Sequence, residues 1–140
     1  MAFLFDTDAI SELLRPRPST AYVKWIMKVP RKEQFTSAVV IGELYKGAYR
    51  AKDRKRHLSN IEKRVLPAVT VLPYDVAIAK VFGSIRAHLE SKGMILPDAD
   101  IQIAATAIGN NLELVTGNLR HFKRIPGLKL NKTLANSRTR

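Results

Sequence analysis

Short apolar runs of strand character alternate with helical stretches from one end of this 140-residue chain to the other. Residues 2–5 carry Phe3, Leu4 and Phe5 and stop at an acid, Asp6. Residues 69–72 are apolar and β-branched, residues 112–116 also read as a strand, residues 34–36 form a weaker run, and residues 128–130 are a candidate edge strand. Between these runs the apolar spacing changes to three and four, the helical period. Strands separated by helices cannot pair as hairpins. They need crossovers, and crossovers produce a parallel sheet with helices on both faces. The fold class is therefore α/β, and the length suits one domain.

The intervening segments have readable ends. A helix starts at Asp6-Thr7-Asp8, with Thr7 or Asp8 expected as its cap, and the Arg-Pro-Arg-Pro at 15–18 stops it. Residues 19–28 form a second helix, ended by Pro30. From Ser37 through Tyr49 the apolar residues recur at helical spacing but spread around the axis, which predicts a largely buried helix. A basic helix over 53–66 is ended by Pro67. Asp75 caps an amphipathic helix through Ile78, Val81, Phe82, Ile85 and Leu89, and Gly93 closes it. Residues 98–108 form a helix rich in Ile and Ala.

Charge narrows the partners. Lys and Arg number 24 against 12 acids, a net +12. Eight bases and two acids lie between Lys46 and Arg64, and seven bases and no acid follow Glu113. A field of that sign attracts polyanions, nucleic acid above all. No helix joins a basic face to a bulky aromatic one, which argues against a membrane surface. Cysteine is absent, so disulfides, thiolate metal sites and a Cys nucleophile are excluded. No apolar run reaches the roughly 18 residues of a membrane span, and the opening residues lack the basic region of a signal peptide. A cytoplasmic protein is expected. Residues 131–140 read as a basic, flexible tail with little to bury.

Parallel sheets bind ligands beyond the carboxyl ends of their strands. Asp6 directly follows the first strand, and Asp8 lies two residues on. Glu43 interrupts an apolar helix, with Val40 and Gly47 on its face. Asp98 and Asp100 open the Ile/Ala-rich helix, one available as its cap and the other to face a site. Thr116 ends a strand, and Asn118 follows through Gly117. Clustered carboxylates repel one another and normally hold a cation. Oxygen donors without Cys suit Mg²⁺ or Mn²⁺, and beside a basic surface such a site suits phosphodiester hydrolysis. His57 and His88 read as surface residues. His121 follows the site loop, where phosphate contact is the functional alternative to a plain surface role.

Four stretches resemble the PIN-domain ribonucleases, specifically the VapC toxins of VapBC pairs and their FitB-like branch. They are Phe3-Leu-Phe-Asp-Thr-Asp-Ala-Ile-Ser-Glu-Leu-Leu-Arg-Pro16, Ser37-Ala-Val-Val-Ile-Gly-Glu-Leu-Tyr-Lys-Gly47, Asp98-Ala-Asp-Ile-Gln-Ile-Ala-Ala105, and Leu114-Val-Thr-Gly-Asn-Leu-Arg-His-Phe122 with Ile125-Pro-Gly-Leu128. They occur in the family's order. The resemblance implies a three-layer α/β/α sandwich with four to five parallel strands, over residues 1–130. It implies Asp6, Glu43 and Asp100 as catalytic, metal-binding acids, with Asp98 an extra acid nearby. Asp8, Thr116 and Asn118 would line the site, Asn118 standing where many PIN domains have a fourth acid. It further implies Mg²⁺- or Mn²⁺-dependent cleavage of RNA, a homodimer, a cognate VapB-type antitoxin, and contact with operator DNA through that antitoxin.

Two other readings compete. Asp6-Thr-Asp8 has the Asp-x-Asp form of HAD-type phosphotransferases. That family wants Thr or Val where Ile10 stands and a late Asp-Asp pair, whereas the last acid here is Glu113. The second rival is a catalytically degenerate nucleic-acid-binding or regulatory module, which the neutral Asn118 leaves open.

Overall fold

The structure is a computed structural model that describes residues 1–138. β1 (Phe3–Phe5) is wholly buried at the middle of the sheet. It leads into α1 (Thr7–Leu14) and α2 (Thr20–Met27). A 3-10 turn at Arg31–Glu33 precedes β2 (Gln34–Ser37). Ser37 Oγ accepts the Val40 N–H at 3.1 Å and so starts α3 (Ala38–Arg50). α4 (Arg54–Asn60) continues into a π-helical stretch, Ile61–Val65. β3 (Thr70–Leu72) and α5 (Val76–Ser91) follow, with Asp75 capping α5 through the Ile78 N–H as the sequence predicts. α6 (Asp98–Gly109), β4 (Glu113–Val115), α7 (Leu119–Phe122), β5 (Leu130–Asn131) and α8 (Thr133–Arg138) complete the chain.

All five strands run parallel in the order β3-β2-β1-β4-β5. Helices flank the sheet in the expected α/β/α arrangement. The chain winds outward from β1 through β2 to β3, then returns to the other side of β1 for β4 and β5. The strand order therefore reverses between β1 and β4, and a crevice opens beyond their carboxyl ends. The Asp6 N–H donates to Val115 O at 3.1 Å and holds the two strand ends level. Thr36 Oγ1, fully buried, donates to Phe5 O at 2.7 Å and fixes β2 beside β1.

The core packs the sheet against α6, whose Ile101, Ile103, Ala104, Ala105 and Ala107 are all buried, and also takes in Ala9 and Ile10 of α1 and Tyr22 of α2. The small Ala residues let α6 approach both the sheet and α5. At Gly109 a β-carbon would run into the Ile78 side chain, so glycine there permits that close approach. Gly93 takes a left-handed conformation (φ 67°) to end α5, as its sequence position predicts.

Four expectations need correction. Asp6 itself, not Thr7 or Asp8, caps α1. Neither Asp98 nor Asp100 caps α6, whose N-cap position is Pro97. In α3 only Val40 and Ala48 are buried, and Tyr49 is 54% exposed. Its apolar spread exceeds what one sheet and its neighbouring helices cover. Finally, the expected tail over 131–140 is structured as far as it is described. Asn131 belongs to β5, and α8 packs on α2 with Leu134 fully buried. A single leucine at the right turn anchors a helix too short to show a period. Residues 139 and 140 lie outside the described part.

Candidate active site

The switch-point crevice is a cleft of about 330 Å³ lined by Asp6, Thr7, Asp8, Ser11, Glu43 and Asp100, with Asn118, Ile103 and Phe122 completing its walls. Three routes bring the acids together. Asp6 and Asp8 come from the start of α1, directly after β1. Glu43 comes from the second turn of α3, which Ser37 launches from the end of β2. Asp100 comes from the first turn of α6. Of the residues expected at the site, Asp6, Asp8, Glu43, Asp100 and Asn118 line this cleft.

Asp6 is the buried member, 5% exposed. Its Oδ1 accepts the Ala9 N–H at 2.7 Å, so the ligand candidate is also the helix cap. Burial pushes its carboxyl up to about 7, against the lowering hydrogen bonds of the Thr116 hydroxyl and Ala9 N–H; the charges of Asp8 and Asp100 raise it further. A buried acid held this high is one that a nearby cation would ionise. Thr7 Oγ1 donates to Glu43 Oε1, tying α1 to α3 across the cleft. His121 Nδ1 stands 3.4 Å from Asp100 Oδ2.

These side chains are oxygen donors, which suits a hard divalent ion. Among the described residues no group of three acids or histidines clasps one point as the side chains stand. Thr7 engages Glu43 at Oε1 and His121 stands beside Asp100 Oδ2, so each carboxylate keeps a second oxygen that a cation could use. The donor set fits such a cation.

The comparisons agree with this geometry. The family model described as PIN domain matches residues 3–128. The chain belongs to the PIN-domain family. Within that family it is similar to Toxin FitB of Neisseria gonorrhoeae, 32% identical over 124 residues that cover 85% of this chain and 89% of FitB. It is similar also to the tRNA(fMet)-specific endonuclease VapC of Salmonella typhimurium, 31% identical over 130 residues, 93% of this chain and 96% of that protein. Among solved structures, VapBC2 from Rickettsia felis, bound to a DNA fragment from its promoter, superposes with a TM-score of 0.85 at 28% identity, covering 94% of this chain and 98% of that one. The PIN match decides against the HAD-type reading.

The other residues expected at this PIN-domain site lie around it. Thr116 is fully buried, bonded to Asp6 and accepting the Asn118 N–H at 3.0 Å. It shapes the cleft from beneath. Asn118 caps α7 with its Oδ1. Asp98 faces elsewhere. It is 70% exposed and pairs with Arg86 of α5, at a separate depression. Thr7 and Ser11 line the cleft without having been singled out as site residues. Their signal was available, since both share the exposed face of α1 with Asp8 at helical spacing.

Proposed function

We propose that this protein is the toxin of a toxin–antitoxin pair and hydrolyses RNA phosphodiester bonds at a Mg²⁺ or Mn²⁺ site formed by Asp6, Glu43 and Asp100. The observation that carries this reading is the convergence of those three acids at the β1/β4 switch point of a PIN domain of net charge +12. PIN-domain ribonucleases generally depend on a divalent metal.

When bound, a divalent cation in the cleft supplies the positive charge that acidifies water and offsets charge building on phosphate oxygens. The chain's own residues do the rest. Asp6 would hold the cation as a carboxylate, and its cap of α1 fixes it in place. Glu43 would offer the cleft its second carboxylate oxygen while Thr7 holds the first. Asp100 supplies a further carboxylate, and His121, whose Nδ1 stands 3.4 Å from it, is available to contact phosphate. Asn118 provides a neutral oxygen, which keeps the site's charge lower than four acids would. The surrounding Lys and Arg residues hold the RNA backbone.

The relatives support the partners. VapBC2 of Rickettsia felis and VapBC of Salmonella typhimurium are toxin–antitoxin complexes on DNA. On that basis this chain pairs with a VapB-type antitoxin, contacts operator DNA through it, forms a homodimer, and works in the cytoplasm, where its RNA is. Among the described residues no helix is long and apolar enough to cross a membrane.

The test is the metal requirement. Purified protein is incubated with total RNA in Mg²⁺, in Mn²⁺ and in excess EDTA. Cutting in either metal that stops in EDTA supports the reading. RNA binding without cutting in both metals would favour the degenerate module that Asn118 leaves open.

A further inference from the structure

The acid cleft does not end at Glu43. A groove of about 520 Å³ adjoins it and shares Thr7, Ser11 and Glu43 with it. The groove runs between α1, α3 and the α4 region. Its floor is apolar, built from Leu14, Leu44, Ala48 and Ile61, and its rim carries Arg15, Arg56 and His57. Gly47 lies one turn beyond Glu43 on the same face of α3, and nothing stands within 4 Å of where its β-carbon would be. A glycine inside a helix is less stabilising than alanine. Here its lack of a side chain keeps the groove open directly beside the acids.

We infer that this groove is a nucleotide subsite, receiving the base and the next phosphate of the RNA strand whose scissile phosphate sits at Asp6, Glu43 and Asp100. The inference rests on the ribonuclease reading and adds the path of the strand. Three observations choose RNA as the occupant. The groove is continuous with the acids through Glu43, so a strand held there enters it next. Its apolar floor matches the face of a base and its cationic rim matches a phosphate. Among the described residues Arg56 pairs with Asp53 alone, at 2.5 Å with both side chains more than half exposed. An exposed pair of that kind contributes little, so Arg56 can exchange Asp53 for a phosphate.

The test uses Gly47→Leu, which fills the groove, Arg56→Ala, which strips its rim, and Lys80→Ala, which removes the same charge from an exposed position on α5 outside the groove. Circular dichroism first checks folding. A short, labelled, random-sequence RNA is titrated with each protein in EDTA, Mn²⁺ affinity is measured without RNA, and cut ends from total RNA are mapped with Mg²⁺. The proposal expects Gly47→Leu and Arg56→Ala each to weaken RNA binding about tenfold. Cut-site preference should shift, Mn²⁺ affinity should hold, and Lys80→Ala should bind nearly as wild type does. If Gly47→Leu and Arg56→Ala bind and cut as wild type, the proposal is overturned and the groove belongs to a protein segment. If Arg56→Ala and Lys80→Ala weaken binding equally while Gly47→Leu has no effect, only diffuse charge is at work and the proposal again fails. Groove-dependent binding by a wild type that cuts nothing would instead overturn the ribonuclease reading and leave the subsite standing.

Discussion

Arg138 reaches back across 130 residues of chain to Asp8, donating to its two carboxylate oxygens at 2.7 and 3.0 Å. The same guanidinium donates to Glu12 Oε1 at 2.6 Å. α8 is thereby fastened to α1 at the edge of the acid cleft, and Asp8 lines the cleft as one half of an ion pair. Gly117 makes room for the arrangement, since a β-carbon there would meet both Asp8 and Arg138.

Arg138→Ala should destabilise the protein. Glu12 is only 4% exposed. Burial alone would raise its carboxyl, but hydrogen bonds from Arg138 and the Ser19 N–H, with the charges of Arg15 and Arg138, bring it below its ordinary value. Removing Arg138 leaves that buried acid underpaired, at a cost of roughly 1–3 kcal/mol. Because the folded value is the lower one, this contribution is present at neutral pH and is lost as pH falls below the ordinary value of 4.5. Urea unfolding of both proteins at neutral and acid pH checks it: the gap should narrow in acid.

Asp6 has the opposite sign. Its carboxyl stands near 7, above the ordinary 3.8. The folded state therefore binds more protons between those values, and the metal-free protein loses stability as pH rises from about 4 to about 7. Three units correspond to at most about 4 kcal/mol. Asp6→Asn, which keeps an oxygen for the Ala9 N–H, should flatten this dependence and melt higher than wild type above pH 7 in EDTA. Equal melting temperatures across that range would refute the assignment.

Thr7→Val tests the bond between Thr7 and Glu43. The swap keeps shape and removes the hydroxyl. Partners that orient a metal ligand typically contribute about 10–100-fold in affinity or activity. Cleavage and Mn²⁺ affinity should fall by about that range in Thr7→Val and be restored in Thr7→Ser, with the circular dichroism spectrum unchanged.

Asp98→Asn should leave cleavage and metal affinity as they are. Its carboxylate is exposed and pairs with Arg86 away from the cleft, so the cost in stability should be under about 1 kcal/mol. A large loss of Mn²⁺ affinity in this variant would return Asp98 to the site.

Much of this was legible because it was local. The strand and helix periods located β1, β3, β4 and α5 within a residue or two, and strand-helix alternation implied the parallel sheet. The acids of the cleft follow from that topology, since a side chain just past a strand end has one place to go. What could not be read depends on distant partners. The Arg138–Asp8 pair joins the two ends of the chain, and no local pattern distinguishes it from a solvated tail. Asp98 and Asp100 sit two residues apart on α6, so they point about 200° apart around the axis. Only packing against α5 decides that Asp98 meets Arg86. The exposure of α3 likewise reflects how much of its surface the neighbouring elements leave uncovered.

The central claim is that Asp6, with Glu43 and Asp100, forms a catalytic metal site for RNA hydrolysis. The most direct measurement compares wild type and Asp6→Ala on total RNA with Mg²⁺ and Mn²⁺, with cut ends mapped and folding verified. The account predicts discrete, metal-dependent ends from wild type and none from a folded Asp6→Ala protein. Undiminished cutting by Asp6→Ala would contradict it.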